Sequence, residues 1–123
     1  MNKEQALHAF WSSFDWPAYD EGTVPDDASL PRITYSVVTD SIDSQIMLTA
    51  SLWDKSYSWE SVTLKKDEIA QTIARMHPPA IKIDDGRMYI TPGNPFAQRM
   101  SDSNDDSIRR LYLNLEVEFF TAF

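Results

Sequence analysis

Residues 108–123 decide the fold, and they read Ile-Arg-Arg-Leu-Tyr-Leu-Asn-Leu-Glu-Val-Glu-Phe-Phe-Thr-Ala-Phe. Apolar side chains occupy every second position, so that Leu111, Leu113, Leu115, Val117 and Phe119 alternate with Tyr112, Asn114, Glu116, Glu118 and Phe120. A period of two is the spacing of a strand with one buried and one more polar face. The stretch therefore predicts a long final strand in a sheet that is covered by helices on one side.

Two helices are predicted from apolar residues that recur on one face. Residues 2–14 form the first, and its stripe consists of Leu7, Phe10, Trp11 and Phe14. Asn2 and Gln5 have the spacing of a capping box at its start. Residues 58–76 form the second, and its stripe consists of Trp59, Val62, Ile69, Ile73 and Met76, interrupted by Lys66. His77-Pro78-Pro79 ends that helix.

Four shorter strands are predicted at residues 32–39, 46–53, 80–84 and 87–91. The first two form an antiparallel hairpin, and Asp85-Gly86 is a strong two-residue turn between the last two. Residues 17–31 are expected to be an irregular connection, and residues 92–95, Pro-Gly-Asn-Pro, to break the pairing. We therefore expect one α+β domain over residues 1–123, with a single mixed or antiparallel sheet of about five strands and two helices on one face.

Composition excludes several classes of protein. The chain has 123 residues, no cysteine and a formal net charge of −8, which removes disulfides and thiolate chemistry. A free-standing nucleic-acid binder is normally basic, so specific DNA binding is disfavoured, whereas an acidic surface that DNA slides past is compatible with this charge. No apolar run approaches the ~20 residues of a membrane span, and we expect no membrane partner.

No catalytic motif is found in the sequence. The acid-rich loop at residues 102–106 lacks the glycine and glutamate of a calcium-binding loop. His8 and His77 are isolated, and neither a serine nucleophile motif nor a glycine-rich phosphate loop is present. We therefore expect no enzyme activity, no metal and no cofactor.

Aromatic residues point instead to a partner. Trp53 and Tyr112 fall on strand positions opposite to the main apolar rows. If both faces of the sheet are partly apolar, the second face is expected to meet another subunit.

Several stretches resemble the tail-terminator (tail-completion) proteins at the neck of tailed bacteriophages. They are residues 30–35, Leu-Pro-Arg-Ile-Thr-Tyr; residues 50–56, Ala-Ser-Leu-Trp-Asp-Lys-Ser; residues 67–70, Asp-Glu-Ile-Ala; the Asp-Asp-Gly turn at 84–86; and the strand at 111–119. The resemblance covers most of the chain from residue 3 onward, and its motifs are structural rather than chemical.

The resemblance implies a structural virion protein, made in the bacterial host cytoplasm, of a tailed phage or prophage. Its subunits would form a ring, commonly a hexamer, that ends the tail tube and joins it to the head. The implied partners are other copies of the chain, the tail tube protein and a head-completion or connector protein. DNA would pass through the ring without specific binding, and no cofactor is implied.

Two alternatives stay open at this point: a head-closure or head–tail connector protein, and a small-molecule-binding regulatory α+β domain. A ring would favour the virion proteins, and a deep apolar pocket with convergent polar groups would favour the regulatory domain. As subunit-interface residues we predict Phe96, Arg99 and Met100, because residues 92–107 are a long connection with apolar and cationic side chains among polar ones.

Overall fold

A computed structural model describes residues 1–37, 45–84, 86–101 and 105–121 of the protein, with the side chains of Gln45 and Thr121 left undescribed. This part of the chain forms two helices and six strands. In chain order they are α1 (Lys3–Ser12), β1 (Ala18–Asp20), β2 (Arg32–Tyr35), β3 (Gln45–Lys55), α2 (Glu60–Arg75), β4 (Ala80–Ile83), β5 (Gly86–Met100) and β6 (Ile108–Thr121).

The strands form one mixed sheet in the order β1-β2-β3-β6-β5-β4. All neighbouring pairs are antiparallel except β1 and β2, which are parallel. The predicted final strand, the hairpin of β2 with β3 and the hairpin of β4 with β5 are all confirmed. Gly86, predicted to lie in the turn of the second hairpin, is instead the first residue of β5 and pairs with Ile83. Asp85 and residues 38–39 of the predicted first strand lie outside the described residues.

The expected number of about five strands was too low, because β1 lies in the segment predicted to be irregular. β1 has only three residues and no alternation of its own. Its place is fixed by β2: the Ile33 amide donates to the Pro17 carbonyl at 2.8 Å, and the Glu21 amide donates to the Tyr35 carbonyl at 2.9 Å. Such a strand depends on a neighbour distant in sequence, which local periodicity does not report.

The predicted alternation of the last strand is confirmed in the core. Leu113 and Val117 are fully buried, and Leu111 and Leu115 are nearly so. Register places Leu111 opposite Leu52 and Leu115 opposite Leu48, so the apolar rows of β3 and β6 share one face. Phe119 is partly buried and packs against the same cluster.

Both helices contribute their apolar stripes to that cluster. Ala6, Leu7, Phe10 and Trp11 are buried on α1, and Val62, Ile69 and Ile73 on α2. The capping box at the start of α1 is confirmed, since the Asn2 side chain accepts from the Gln5 amide and the Gln5 side chain accepts from the Asn2 amide. We call this side of the sheet the helix face and the opposite side the outer face.

The sheet curls around α1. This helix contacts β1 and β4, the two edge strands. A helix of 10 residues is only ~15 Å long, whereas six flat strands span ~24 Å from edge to edge. The edges must therefore bend towards each other. The Asp84 amide, just beyond β4, donates to the Met1 carbonyl at 2.8 Å and fastens the helix start to that edge.

The prediction that residues 92–95 break the pairing is confirmed only in part, because the register with β6 is interrupted after Pro92 and resumes at Ala97, but the strand does not end there. β5 runs unbroken through them, with a register irregularity between Pro92 and Ala97. Proline lacks the N–H that a ladder needs, but among the described residues β4 pairs with β5 only as far as Tyr89. The edge of β5 that faces away from β6 is therefore unpaired where the prolines occur. A missing proline N–H costs no ladder hydrogen bond at that edge.

Gly93 allows β5 to approach β6 at this irregularity. It is buried, and a Cβ added there would lie 2.9 Å from both the Cβ and the carbonyl oxygen of Asn114. The Asn114 side chain in turn donates from Nδ2 to the Pro95 carbonyl at 3.0 Å. The bulge is thus held by a close backbone contact and one side-chain hydrogen bond.

We expect Gly93→Ala to destabilise the protein by ~1–3 kcal/mol, the usual cost of inserting a methyl group into a packed site. Gly22→Ala is the matched control, because its added Cβ would meet only Asp20 Oδ1 at 3.5 Å, and its cost should be close to zero. Urea unfolding of both variants measures the difference. Equal stability of the two would show that the bulge can open without strain.

Tyr35 joins β2 to α1. Its ring is buried and stacks against Trp11, and its hydroxyl shares a hydrogen bond of 3.0 Å with His8 Nδ1. Burial, followed by the negative charges of Asp20 and Glu4, raises the pKa of Tyr35 above its ordinary value. The folded state therefore holds this proton more tightly than the unfolded chain does.

Tyr35→Phe should reduce the loss of stability at alkaline pH. In the wild type, the unfolded chain releases the Tyr35 proton from about pH 10 while the folded state retains it, so this contribution is complete below pH 10 and is lost as the pH rises towards the higher folded pKa. At neutral pH the variant loses one hydrogen bond, ~0.5–1.5 kcal/mol.

The measurement is the free energy of unfolding between pH 7 and 11, with the exposed Tyr57→Phe as a control for the removal of a tyrosine hydroxyl. The difference in the free energy of unfolding between wild type and Tyr35→Phe should decrease above pH 10. A gap that stays constant would mean that the hydroxyl titrates alike in both states.

Candidate interaction surfaces

The outer face carries a row of cationic and aromatic side chains across four strands. Register aligns Arg32 of β2 with Trp53 of β3, Trp53 with Arg110 of β6, and Arg110 with Met100 of β5. Tyr112 lies on the same face, two residues along from Arg110. The prediction that Trp53 and Tyr112 lie opposite the main apolar rows is confirmed, while their contact with another subunit stays a prediction.

These side chains hold one another in place. The Arg110 guanidinium lies 4.6 Å from the centre of the Trp53 ring and 5.6 Å from that of Tyr112. Its Nε donates to Ser51 Oγ at 3.0 Å. The indole Nε1 of Trp53 donates to Thr34 Oγ1 at 2.9 Å. A cation on an aromatic ring is worth ~0.5–2 kcal/mol, and both partners are thereby fixed in advance of any contact.

A second arginine–tryptophan group lies on the helix face. Trp59, at the N-cap of α2, has the guanidinium of Arg99 at 4.8 Å and that of Arg109 at 5.3 Å from its ring centre. Arg109 also donates to the carbonyls of Asp106, at 2.8 Å, and Tyr57, at 3.0 Å. This group joins the start of α2 to the ends of β5 and β6.

None of these four arginines forms an ion pair among the described residues. The ion pairs found there join Lys65 to Glu68, Lys66 to Asp67, and the N-terminal amine to Asp84. Arg32 Nε is buried without a hydrogen-bond partner, and so is Arg109 Nε. In a chain of net charge −8, cations held on aromatic rings without carboxylates indicate a surface suited to an acidic partner.

The outer face is polarised along its strands. We name Arg32, Trp53, Arg110 and Tyr112 its arginine end. Its other end, here the glutamate end, consists of Met47, Tyr89, Glu116, Glu118 and Phe120. Met47 and Phe120 are 49% and 54% exposed, which is high for large apolar side chains. A cleft of about 50 Å³ lies beside Tyr89, Glu116 and Glu118.

The three predicted interface residues lie on one strand but not on one surface. Phe96 packs against the core cluster on the helix face. Arg99 stacks on Trp59 on the same side. Met100 ends the cross-strand row of the outer face. Their role in subunit contact stays a prediction. Arg32 and Arg110 were missed, because they become neighbours of Trp53 only once the strand register is known.

Asp105 of the acid-rich loop and His8, two residues considered for metal binding or acid–base chemistry, form hydrogen bonds with other side chains of the protein. The Asp105 carboxylate accepts hydrogen bonds from the side chain and the amide of Ser107, and these two bonds lower the pKa of Asp105. Residues 102–104 of that loop lie outside the described residues. His8 bonds to Tyr35. Within the described ranges, no group of three or more His, Cys, Asp or Glu could hold a metal ion.

Two larger clefts open on the surface. One of about 480 Å³ lies along the start of α2, and its lining includes Trp16, Leu64 and Lys65. The other, of about 330 Å³, lies between the end of α2 and β5 and includes Ile73 and Ile90.

Of the helices in the described ranges, neither has the length and apolar character that crossing a membrane requires.

The chain matches no protein-family model, and no curated protein matches it. Among solved structures it is similar to a chain of a "virion of native gene transfer agent (GTA) particle", with a TM-score of 0.57 and 11% sequence identity. The match covers 94% of this chain and 90% of the other. The two chains therefore share a fold over nearly their whole lengths.

Proposed function

We propose that this protein is a structural subunit of a phage-like virion, of the tail-terminator or tail-completion type. The observation that carries the proposal is the fold shared with a chain of a gene transfer agent virion, which leaves little of either chain unmatched. The tail-terminator resemblance of residues 30–35, 50–56 and 111–119 supports the same class.

In this role the chain acts through its surfaces and carries out no catalysis. Copies would form a ring, commonly a hexamer in such proteins, at the head-proximal end of the tail tube, and contact both the tube protein and a head-completion or connector protein. The stacked arginines and the exposed apolar residues of the outer face are suited to protein contacts. The net charge of −8 is suited to a channel through which DNA passes without adhering.

A head-closure or head–tail connector protein is the second candidate. The fold shared with a virion chain supports this candidate as well. The two candidates differ in which free structures accumulate when the protein is missing.

Deleting the gene from a phage or prophage that encodes this chain should yield tails of uncontrolled length that are not joined to heads, because nothing would stop tube growth. Electron microscopy of the lysate gives tail lengths and the joined fraction, and a wild-type copy supplied in trans should restore both. Tails of normal length beside heads that have lost their DNA would favour the head-closure role. Normal joined particles would contradict both roles.

The predicted interface residues can be tested on purified tail tubes. Arg99→Ala with Met100→Ala should leave the fold intact and weaken docking about tenfold, which corresponds to ~1.4 kcal/mol. Phe96 is kept, because it packs against the core. Arg75→Ala is the matched control, since it removes an exposed arginine in the last turn of α2. Docking of the double variant at the control's level would reject this strand end as an interface.

A further inference from the structure

We propose that the outer face is a contact between two copies of this chain, in which the arginine end of one copy meets the glutamate end of the other. The proposal rests on the proposed function only in taking a second copy as the partner. The surface, its polarity and the side chains involved come from the fold.

Charge complementarity is the first argument. Two copies, each of net charge −8, repel one another at most orientations. Arg32 and Arg110 lack ion-pair partners among the described residues. Glu116 and Glu118 likewise form no ion pair there. Arg87, opposite Phe120, and Lys82, opposite Arg87, are described cations on the same face, one and two strands away from the two glutamates. A contact that brings arginine to glutamate relieves the repulsion locally and sets the orientation of the copies.

Apolar complementarity is the second argument. The glutamate end exposes Met47 and Phe120, with Tyr89 set edge-on to Phe120 at 5.1 Å between ring centres. At the arginine end, Trp53 and Tyr112 are half-buried and stacked with Arg110. Trp, Tyr, Met and Arg are the side chains that protein interfaces favour. Each end thus carries aromatic or apolar side chains beside charged ones, and the glutamates of one end are opposite in sign to the arginines of the other.

Rigidity is the third argument. Arg110 is fixed between two rings and by its bond to Ser51, so little side-chain freedom remains to be lost on binding. Arg110 and Glu116 are six residues apart on β6, or ~20 Å along the strand. That separation is enough for the two ends to contact different parts of a neighbour, either in a reciprocal pair or in a closed series of copies.

The test is a charge swap across the contact. One variant is Arg110→Glu and the other is Glu116→Lys with Glu118→Lys. Each alone brings like charges together, so self-association should weaken at least tenfold relative to wild type. An equimolar mixture should recover it, because the glutamate introduced in one variant then meets the lysines introduced in the other. At the reciprocal contact, the unchanged arginine end of the lysine variant still meets the original glutamates.

Sedimentation velocity over a wide concentration range at low ionic strength, where charge pairs are least screened, measures association. Glu21→Lys, a charge reversal on the exposed loop after β1, is the control and should associate at least as well as wild type. Thermal melts check folding. If Arg110→Glu melts early, Arg110→Gln replaces it, and its mixture with the double lysine variant should then recover association only in part, because glutamine forms no charge pair with the lysines.

A wild type that stays monomeric at all concentrations would overturn the inference, as would swapped variants that associate normally or an Arg110→Glu mixture that does not recover. None of these outcomes bears on the proposed virion role, which the tail phenotype of the deletion strain tests separately. Normal tails in the deletion strain, together with the expected charge-swap behaviour, would reject the role and keep the contact.

Discussion

The pairing of β3 with β6 is the constraint on which the rest of the structure depends. All eleven residues of β3 have a partner on β6, and the pairing fixes which side chains share a face. A shift by one residue would turn Leu111, Leu113 and Leu115 towards solvent and Arg110 into the core. Burial of the leucine rows under the helices therefore also places Arg110 and Trp53 on the opposite side. The register between β3 and β6 thus decides both which of their side chains are buried and which lie on the outer face.

The elements with strong local signals were predictable from sequence. The alternation of 111–119 and the capping box of Asn2 with Gln5 each depend on neighbours in the chain. The failures share a different cause. β1 exists because β2 offers it an edge, and Pro92 and Pro95 fit within β5 because β4 ends before them. Both depend on which strands happen to be adjacent, which no local pattern encodes.

The surface was predictable only in part. Trp53 and Tyr112 stood out because an aromatic residue on a polar strand face is unusual. Arginine on such a face is ordinary, so Arg32 and Arg110 gave no signal until the register placed both on one indole ring. Phe96, Arg99 and Met100 were grouped because they are close in sequence, yet Arg99 and Met100 point to opposite sides of the strand, and Phe96 lies within the register irregularity that precedes Ala97. The structure accordingly divides them between the core cluster, Trp59 and the outer face.

Beyond its pairing with β4, the edge of β5 that faces away from β6 is unpaired in the described part of the chain. This edge affects how copies of the chain can assemble. An open strand edge is a template on which a further strand can add without limit, as in fibrils. The Ile90 amide donates towards the β4 side, to the Pro79 carbonyl, and Pro92, two residues further on, has no N–H to donate there. The bulge at Gly93 disturbs the regular spacing of the edge beyond it. Copies are thereby discouraged from joining edge to edge into an endless sheet, which leaves associations of finite size through side-chain surfaces.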